Sequence, residues 1–115
     1  MNRKLAAVSL LGVLISAVLL TGCPPRLKIS DIQRDPGRYA NKEVTVAGNV
    51  DRSIGALGMG VFQVDDGTGK IWVLSESYGV PGQGSRVVVT GTLMQTATFA
   101  GKTYSNVLRE TKRRS

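Results

Sequence analysis

The sequence predicts a small all-β domain, a closed barrel of five strands with a short helix in front of the first strand. Hydrophobic and polar residues alternate over 42–51 and along 62–64 and 71–74, and this period of two is typical of strands with one buried face. The pattern V-x-V-x-G-x-apolar occurs at residues 44–50 and again at 87–93. Glycine inside a strand usually marks a bend or bulge. Two long strands that each bend at a glycine suit a barrel, in which one strand serves two sheets.

A short helix or two turns is predicted over residues 30–40. Ser30 and Gln33 have the S-x-x-Q spacing of a capping box, with Ser30 as the N-cap. Pro36 follows Asp35 and suits the first position of a second helical turn. The residues expected to form the buried face are Ile29, Ile32 and Tyr39.

The predicted strands are separated by segments rich in glycine. Residues 66–69 read D-G-T-G, and because Asp-Gly accepts positive φ angles, this segment is predicted to be a hairpin turn. Residues 52–60 and 77–84 are predicted to be loops. The strands are expected at 42–51, 61–65, 70–75, 86–96 and 103–110, followed by a polar, frayed tail at 111–115.

The first 23 residues differ from the rest of the chain. Basic residues at positions 3 and 4 precede an apolar stretch over 5–20, and the tetrapeptide L-T-G-C ends at Cys23. This order resembles the signal peptide of bacterial lipoproteins. The resemblance implies cleavage after residue 22, diacylglycerol on the Cys23 sulfur and a fatty acid such as palmitate on the new amino group. An uncleaved N-terminal membrane helix with a chance cysteine is the alternative.

A lipid anchor at Cys23 implies a protein held at the cell membrane or outer membrane, facing the periplasm or another extracytoplasmic space. Two acyl chains anchor a protein stably, whereas a single chain binds reversibly. Pro24 and Pro25 form a stiff spacer, so the domain would lie close to the bilayer. The predicted organisation is a signal peptide at 1–22, an anchor and tether at 23–28, a barrel domain at 29–110 and a basic tail at 111–115.

Charge is distributed unevenly along the chain. The sequence has 15 Lys+Arg and 8 Asp+Glu residues, a net charge of +7. Between Ile29 and Leu108, seven basic residues balance seven acidic ones, so the excess lies at the two ends. We therefore expect no basic binding face, which weakens the usual step from a high pI to nucleic-acid binding.

The order of the motifs resembles an OB-fold. A V-x-V-x-G strand is followed by a loop, by the segment F-Q-V-D-D-G-T-G-K-I-W-V at 62–73 and by the second V-x-V-x-G strand. The segment is similar to the bacterial periplasmic and lipoprotein OB-fold proteins, of the tRNA-anticodon-binding-like OB family, in which D-G-T-G joins strands 2 and 3. The likeness covers roughly residues 29–108. Many OB-folds place a helix between strands 3 and 4, but residues 76–84 are too short, so the helix before strand 1 is expected to plug the barrel.

The resemblance also implies a binding face. OB-folds generally bind oligonucleotides or oligosaccharides on strands 2 and 3, between the loops that join strands 1–2 and 4–5. In this sequence that face holds Gln63, Trp72 and Leu74, because the alternation turns their neighbours inward. An exposed Trp72 would be a stacking platform, and the alternative is that it packs beneath the helix or a loop. The residues expected to point inward are Phe62, Val64, Ile71 and Val73.

Two loops flank this predicted face. The first covers 52–60 and contains the apolar Leu57 and Met59, which suit an adaptable contact surface. The second covers 97–101. The candidate ligand-binding residues are therefore Gln63, Trp72, Leu74, Leu57 and Met59.

The composition excludes several kinds of enzyme. The chain has no His and one Cys, so it cannot form a Ser-His-Asp triad, a Cys-His dyad or a His-ligated zinc site. Asp65 and Asp66 are adjacent, and adjacent side chains of a strand point to opposite faces. Asp66 is instead expected to shape the turn through local hydrogen bonds. We expect no enzyme, no cofactor and no metal.

These observations predict a non-catalytic, membrane-anchored binding module of the bacterial cell envelope, with a protein or a glycan as its partner. The alternative is an OB-fold lipoprotein that binds single-stranded nucleic acid. Nucleic-acid affinity depends on Lys and Arg side chains that neutralise phosphates, and the barrel has no excess of them. The tail at 112–114 either contacts anionic lipid or is solvated.

Overall fold

The computed structural model describes residues 25–56 and 58–114, so the predicted signal peptide and Cys23 lie outside the described residues. Two short helices, α1 (Ile29–Arg34) and α2 (Pro36–Tyr39), precede the sheet. The strands pair as a closed barrel in the order β1-β2-β3-β5-β4. This is the predicted five-stranded OB-fold architecture. The strands are β1 (Glu43–Ala56), β2 (Met59–Asp65), β3 (Lys70–Ser75), β4 (Arg86–Phe99) and β5 (Lys102–Arg114).

The barrel closes because its long strands each serve two neighbours. The first half of β1 pairs with β4 and the second half pairs with β2, with a shift of register between Val50 and Arg52. A short parallel ladder between β3 and β5 joins the remaining edges, with Val73 opposite Leu108. The double use of β1 agrees with the role that the sequence predicts for the repeated V-x-V-x-G segments.

The two repeated glycines lie where backbones approach closely. A Cβ atom at Gly48 would collide with the carbonyl oxygen of Asp65, and one at Gly91 would lie 2.6 Å from the carbonyl oxygen of Arg109. Gly91 also follows the irregular step between Thr90 and Gly91 in the β4–β5 ladder. The prediction that no side chain fits at these two positions is therefore confirmed.

The core consists of the residues that the alternation placed inside the barrel. Ile29 and Ile32 of α1 are fully buried in the same cluster, and Tyr39 packs against it. The helix therefore plugs one end of the barrel, as predicted. The other buried members of the cluster are Val44, Val46, Val50, Phe62, Val64, Ile71, Val73, Val87, Val89, Leu93 and Leu108.

The D-G-T-G turn caps α1 from a distant part of the chain. The helix begins at Ile29, whose N–H donates to Asp66 Oδ2 at 2.8 Å, and the next N–H, of Ser30, donates to Thr68 Oγ1 at 3.2 Å. The side chain of Gln33 donates to the Lys70 carbonyl oxygen. The predicted capping box with Ser30 as the N-cap is therefore wrong, because side chains of the turn occupy the first amides of the helix.

Asp66 also organises its own turn. Its Oδ1 accepts hydrogen bonds from the N–H and the hydroxyl of Thr68 at 2.8 and 2.6 Å, and from the Gly69 N–H at 3.2 Å. Partial burial raises the pKa of Asp66, but the hydrogen bonds from Ile29, Thr68 and Gly69 outweigh it and hold the pKa below its ordinary value. The predicted role of Asp66 in shaping the turn is confirmed.

A buried ion pair lies toward the other end of the barrel, where β3 ends at Ser75. Arg113 donates to both carboxylate oxygens of Glu110 at 2.7 Å and to the Gly79 carbonyl oxygen at 2.7 Å. Its guanidinium carbon lies 4.8 Å from the centroid of the Phe62 ring. The Glu110 side chain is completely buried, and a buried charge requires a partner. Arg113 is therefore part of the fold.

The sequence misplaces several strand ends. It predicts a loop over 52–60, whereas β1 continues to Ala56 and β2 begins at Met59. Gly55 and Gly60 pair across this hairpin, so glycine here allows close packing and does not end the strands. The predicted frayed tail is instead the end of β5, which pairs with β4 as far as Arg114. β4 likewise continues to Phe99.

Gly91→Val is expected to lower the free energy of unfolding by about 1–3 kcal/mol, because an overpacked side chain forces the neighbouring strand to move. Denaturant melts of the purified protein measure this change. Gly82→Val is the matched control, since a Cβ there has 3.7 Å to the Ser85 hydroxyl oxygen. Equal stabilities of the two variants would contradict the account of barrel closure.

Asp66→Asn is expected to cost about 0.5–2 kcal/mol at neutral pH, the usual effect of losing a helix cap. The pKa of Asp66 is lowered in the folded state, so its carboxylate stabilises the protein above the unfolded value of about 3.9. This stabilisation disappears as the pH falls through the folded-state pKa. Melts across the pH range should therefore show the two proteins converging in acid.

Asp35→Asn is the control for this experiment, because Asp35 precedes α2 without a side-chain capping bond. Its substitution should change stability little at any pH. A difference between wild type and Asp66→Asn that persisted unchanged in acid would contradict the assigned role.

Candidate functional site

The outer face of β2 and β3 is the candidate binding face. Gln63 and Trp72 are direct partners across the two strands, and Leu74 is the partner of Val61. Along both strands these positions alternate with residues of the buried core, such as Phe62. The register therefore places the three predicted residues of these strands together on the outside of the barrel.

A second hydrophobic cluster lies on this face. Its buried members include Tyr104, which belongs to the β4–β5 hairpin, so the hairpin folds against the outside of β2 and β3. The rings of Trp72 and Tyr104 lie 4.9 Å apart between centroids, with an interplanar angle of 56°. This tilted geometry stabilises aromatic pairs. The cluster consists of Val61, Tyr104 and Val107, with Trp72, Leu74, Ala97 and Phe99 packed against it.

Trp72 is half-buried as a result of these contacts. The sequence left two possibilities open, a platform exposed to solvent or a residue packed beneath another element. The structure combines the two, because the indole packs on Tyr104 and part of its surface is accessible. We call the set Val61, Gln63, Trp72, Leu74, Phe99 and Tyr104 the Trp72 face.

Exposed apolar side chains continue the Trp72 face toward the β1–β2 hairpin. Met59 shares the alternation of Gln63 on β2 and is 41% exposed, and Ile54, the partner of Val61, is 45% exposed. Exposed apolar residues that adjoin one another often mark a contact site for a partner. Leu57, which the sequence predicts beside them, lies outside the described residues.

Charged side chains near the Trp72 face are largely paired. The Lys70 ammonium donates to Asp51 Oδ2 at 2.8 Å, which lowers the pKa of Asp51 and raises that of Lys70. The Arg109 guanidinium donates to Glu76. The Lys102 ammonium lies 5.3 Å from the centroid of the Tyr104 ring. The face is therefore apolar and aromatic, and charges of both signs surround it.

The structure corrects the expectation about the basic ends of the domain. Arg26 and the segment 112–114 line one groove of about 550 Å³, although 85 residues lie between Arg26 and Lys112 along the chain. Residues 25–27 pair with β1 at Thr45, and the end of β5 pairs with β4 beside Thr90. The expectation that the barrel has no basic face is therefore wrong, because pairing of both ends brings their charges together.

Within residues 25–56 and 58–114, no group of three His, Cys, Asp or Glu side chains is arranged to hold a metal ion. Asp65 and Asp66, the adjacent carboxylates in this part of the chain, are both engaged by the turn, since Asp65 Oδ1 accepts from the Gly67 N–H at 2.8 Å. Neither of the two described helices has the length and apolar character needed to cross a membrane.

Comparison with known proteins supports the fold. No family model and no curated protein matches the chain. A protein assigned as an aspartyl-tRNA synthetase from Leishmania major Friedlin matches with a TM-score of 0.58 and 16% identity, over 80% of this chain and 20% of that one. An OBody bound to hen egg-white lysozyme matches with a TM-score of 0.51 and 18% identity, over 66% of this chain and 82% of that one. The chain thus spans a fifth of the synthetase's length, and at these identities the likeness concerns the fold alone.

Trp72 is the one tryptophan of the sequence, so its fluorescence reports on this face without interference. Tyr104→Leu is expected to shift the emission to longer wavelength and to cost about 0.5–1.5 kcal/mol of stability, the usual value of an aromatic pair. Tyr78→Leu is the control, because Tyr78 is 57% exposed and lies outside the Trp72 face. An identical emission spectrum in Tyr104→Leu would show that the two rings are not in contact.

Proposed function

We propose that this protein is a non-catalytic, membrane-anchored OB-fold module of the bacterial cell envelope, which binds a protein or glycan partner through the Trp72 face. The observation that carries the proposal is the apolar and aromatic surface at the position where OB-folds generally bind their ligands. Exposed Met59 and Ile54 extend that surface beyond the packed cluster.

The composition of the Trp72 face favours a protein or glycan over a polyanion. Aromatic residues and Met are enriched at the centres of protein interfaces, and Trp and Tyr are frequent hot spots. Trp72 and Phe99 supply such rings, both partly accessible, on a sheet in which the buried Tyr104 supports them, and Gln63 supplies a polar group beside them. A protein of the same fold, the OBody, is bound to lysozyme, which supports the use of this architecture for protein recognition.

Single-stranded nucleic acid is the second candidate ligand, and two observations favour it. The fold is similar to part of a protein assigned as an aspartyl-tRNA synthetase, and Trp72 could stack on a base. However, stacking is worth about 1–3 kcal/mol per base, whereas micromolar affinity requires about 8 kcal/mol. The paired charges of Lys70 and Arg109 leave little to attract phosphates at this face.

The anchor is the second part of the proposal. The order of basic start, apolar stretch and L-T-G-C at Cys23 supports lipidation. The chain is already fixed to the barrel at Pro25, whose carbonyl oxygen accepts from the Thr45 N–H at 2.9 Å. A lipidated Cys23 would therefore hold the barrel against the bilayer without a flexible linker.

Cys23→Ser is expected to abolish incorporation of a fatty-acid probe and to block removal of residues 1–22, because the sulfur is the proposed attachment atom. Metabolic labelling and the mass of the mature protein measure both effects. Trp72→Ala is the control, since it alters the binding face and should be labelled and processed like wild type. Normal maturation of Cys23→Ser at the membrane would refute the anchor.

Oligo-dT is expected to bind the Trp72 face only weakly at physiological salt, because Lys70 and Arg109 beside this face are held in ion pairs with Asp51 and Glu76. Fluorescence anisotropy of dye-labelled oligo-dT measures this binding, because the Trp72→Ala variant has no tryptophan of its own to report it. Saturable submicromolar binding that Trp72→Ala destroys, and that Tyr78→Leu retains, would put the nucleic-acid function first.

A further inference from the structure

The basic groove is a surface separate from the Trp72 face. It is formed by residues 25–27, the outer side of β1 and β4, and the end of β5, with Arg26, Lys112 and Arg114 among its lining residues. In the ring of strands, β4 lies between β1 and β5 and is adjacent to neither β2 nor β3. The Trp72 face takes Phe99 and Tyr104 from the hairpin end of β4 and β5, whereas the groove is lined by the opposite ends of these strands, so the two surfaces are separate.

The floor of the basic groove is uncharged and holds hydroxyl groups beside the apolar side chain of Val88. The hydroxyls of Thr45 and Thr90 lie 2.8 Å apart on neighbouring strands, and Tyr78 forms part of the rim, with its hydroxyl donating to the Thr111 carbonyl oxygen at 3.2 Å. Hydroxyl groups beneath cationic side chains suit a ligand with several negatively charged oxygens.

The cations above this floor carry uncompensated charge. Arg113 is neutralised by Glu110, but in the part of the chain that the structure describes Arg26, Lys112 and Arg114 form no ion pair. All three are exposed, and no carboxylate lines the groove. Like charges gathered in one cleft repel each other and raise the local concentration of anions.

The positive charge extends beyond the groove toward the N-terminal end of the described chain. A neighbouring recess of about 320 Å³ shares Arg26 and adds Lys28 and Arg86. Its one acidic lining residue, Asp66, is occupied by the hydrogen bonds of the turn and helix α1. The result is a band of exposed cations on one side of the barrel.

The position of this band relative to Cys23 identifies its ligand. Three peptide units separate Cys23 from Arg26, and three residues span at most about 11 Å. The Debye length at physiological salt is about 8 Å, so a bilayer that held Cys23 would lie within reach of these charges. We infer that the basic groove binds the phosphate headgroups of anionic phospholipids in the membrane that holds the anchor. This inference rests on the proposed anchor, and it turns the basic groove toward the bilayer.

The test uses the full mature, acylated protein in vesicles of phosphatidylcholine or of equal parts phosphatidylcholine and phosphatidylglycerol. An amine-reactive reagent modifies the lysines, and mass spectrometry compares Lys112 with Lys102, which lies at the tip of the β4–β5 hairpin. We expect phosphatidylglycerol to slow modification of Lys112 several-fold and molar salt to restore it, while Lys102 is unaffected.

Two variants with the same change in net charge distinguish lipid binding in the groove from a general effect of the protein's charge. Arg114→Glu should remove most of the protection of Lys112, whereas Arg52→Glu, an exposed position on β1 outside the groove, should preserve it. Equal modification of Lys112 in both vesicles, for a protein that floats with both, would overturn the inference and leave the anchor intact.

Two other results would also overturn it. Failure of the protein to float with either vesicle would refute the anchor and the inference together. Protection of Lys112 by oligo-dT in phosphatidylcholine vesicles at physiological salt, equal to that given by phosphatidylglycerol, would assign the groove to nucleic acid.

Discussion

Two close approaches between backbones are the constraint on which the molecule depends. At Gly91, β4 passes the backbone of Arg109, and at Gly48, β1 passes the backbone of Asp65. Near these points each long strand pairs with two neighbours, β1 with β4 and β2, and β4 with β1 and β5, so that five strands form a ring instead of an open sheet. A ring has two ends and separate outer surfaces. Closure therefore fixes which residues fill the core, which close the ends, and which two surfaces are available to partners.

Polar groups from distant parts of the chain secure the ends of that ring. At one end, Asp66 binds both its own turn and the first amide of α1, which holds Ile29 and Ile32 in the core. Toward the other, Arg113 and Glu110 form a buried pair. Removing one partner of such a pair typically costs about 3–5 kcal/mol, because the remaining charge has no solvent.

The sequence predicts the barrel well because its signals are local and repeated. Alternation identified Phe62, Val64, Ile71 and Val73 as core, and the register confirmed that Gln63, Trp72 and Leu74 lie on the opposite side. The residue that caps α1 could not be predicted from local spacing. Ser30 and Gln33 have the spacing of a capping box, but the Ile29 N–H donates to Asp66, which lies 37 residues further along the chain.

Long-range pairing also explains the errors at the strand ends and in the charge analysis. The glycines at 55 and 60 resemble loop residues by composition, but they pair with each other across a hairpin. Likewise, the basic residues near Arg26 and Arg114 are far apart in sequence, and only the pairing of both ends with β1 and β4 places them in one groove. Similarly, the sequence around Tyr104 does not indicate that this residue packs on Trp72.

In the proposed arrangement the basic groove faces the membrane that would hold Cys23, and the Trp72 face contacts a different partner. A photo-reactive amino acid at Gln63 in intact cells tests the proposal that the Trp72 face binds a protein or glycan of the envelope. From this proposal we expect a discrete adduct that Trp72→Ala abolishes and that the same probe at exposed Gln83 does not form. Equal adducts from both positions, or an adduct at Gln63 that nuclease removes, would contradict it.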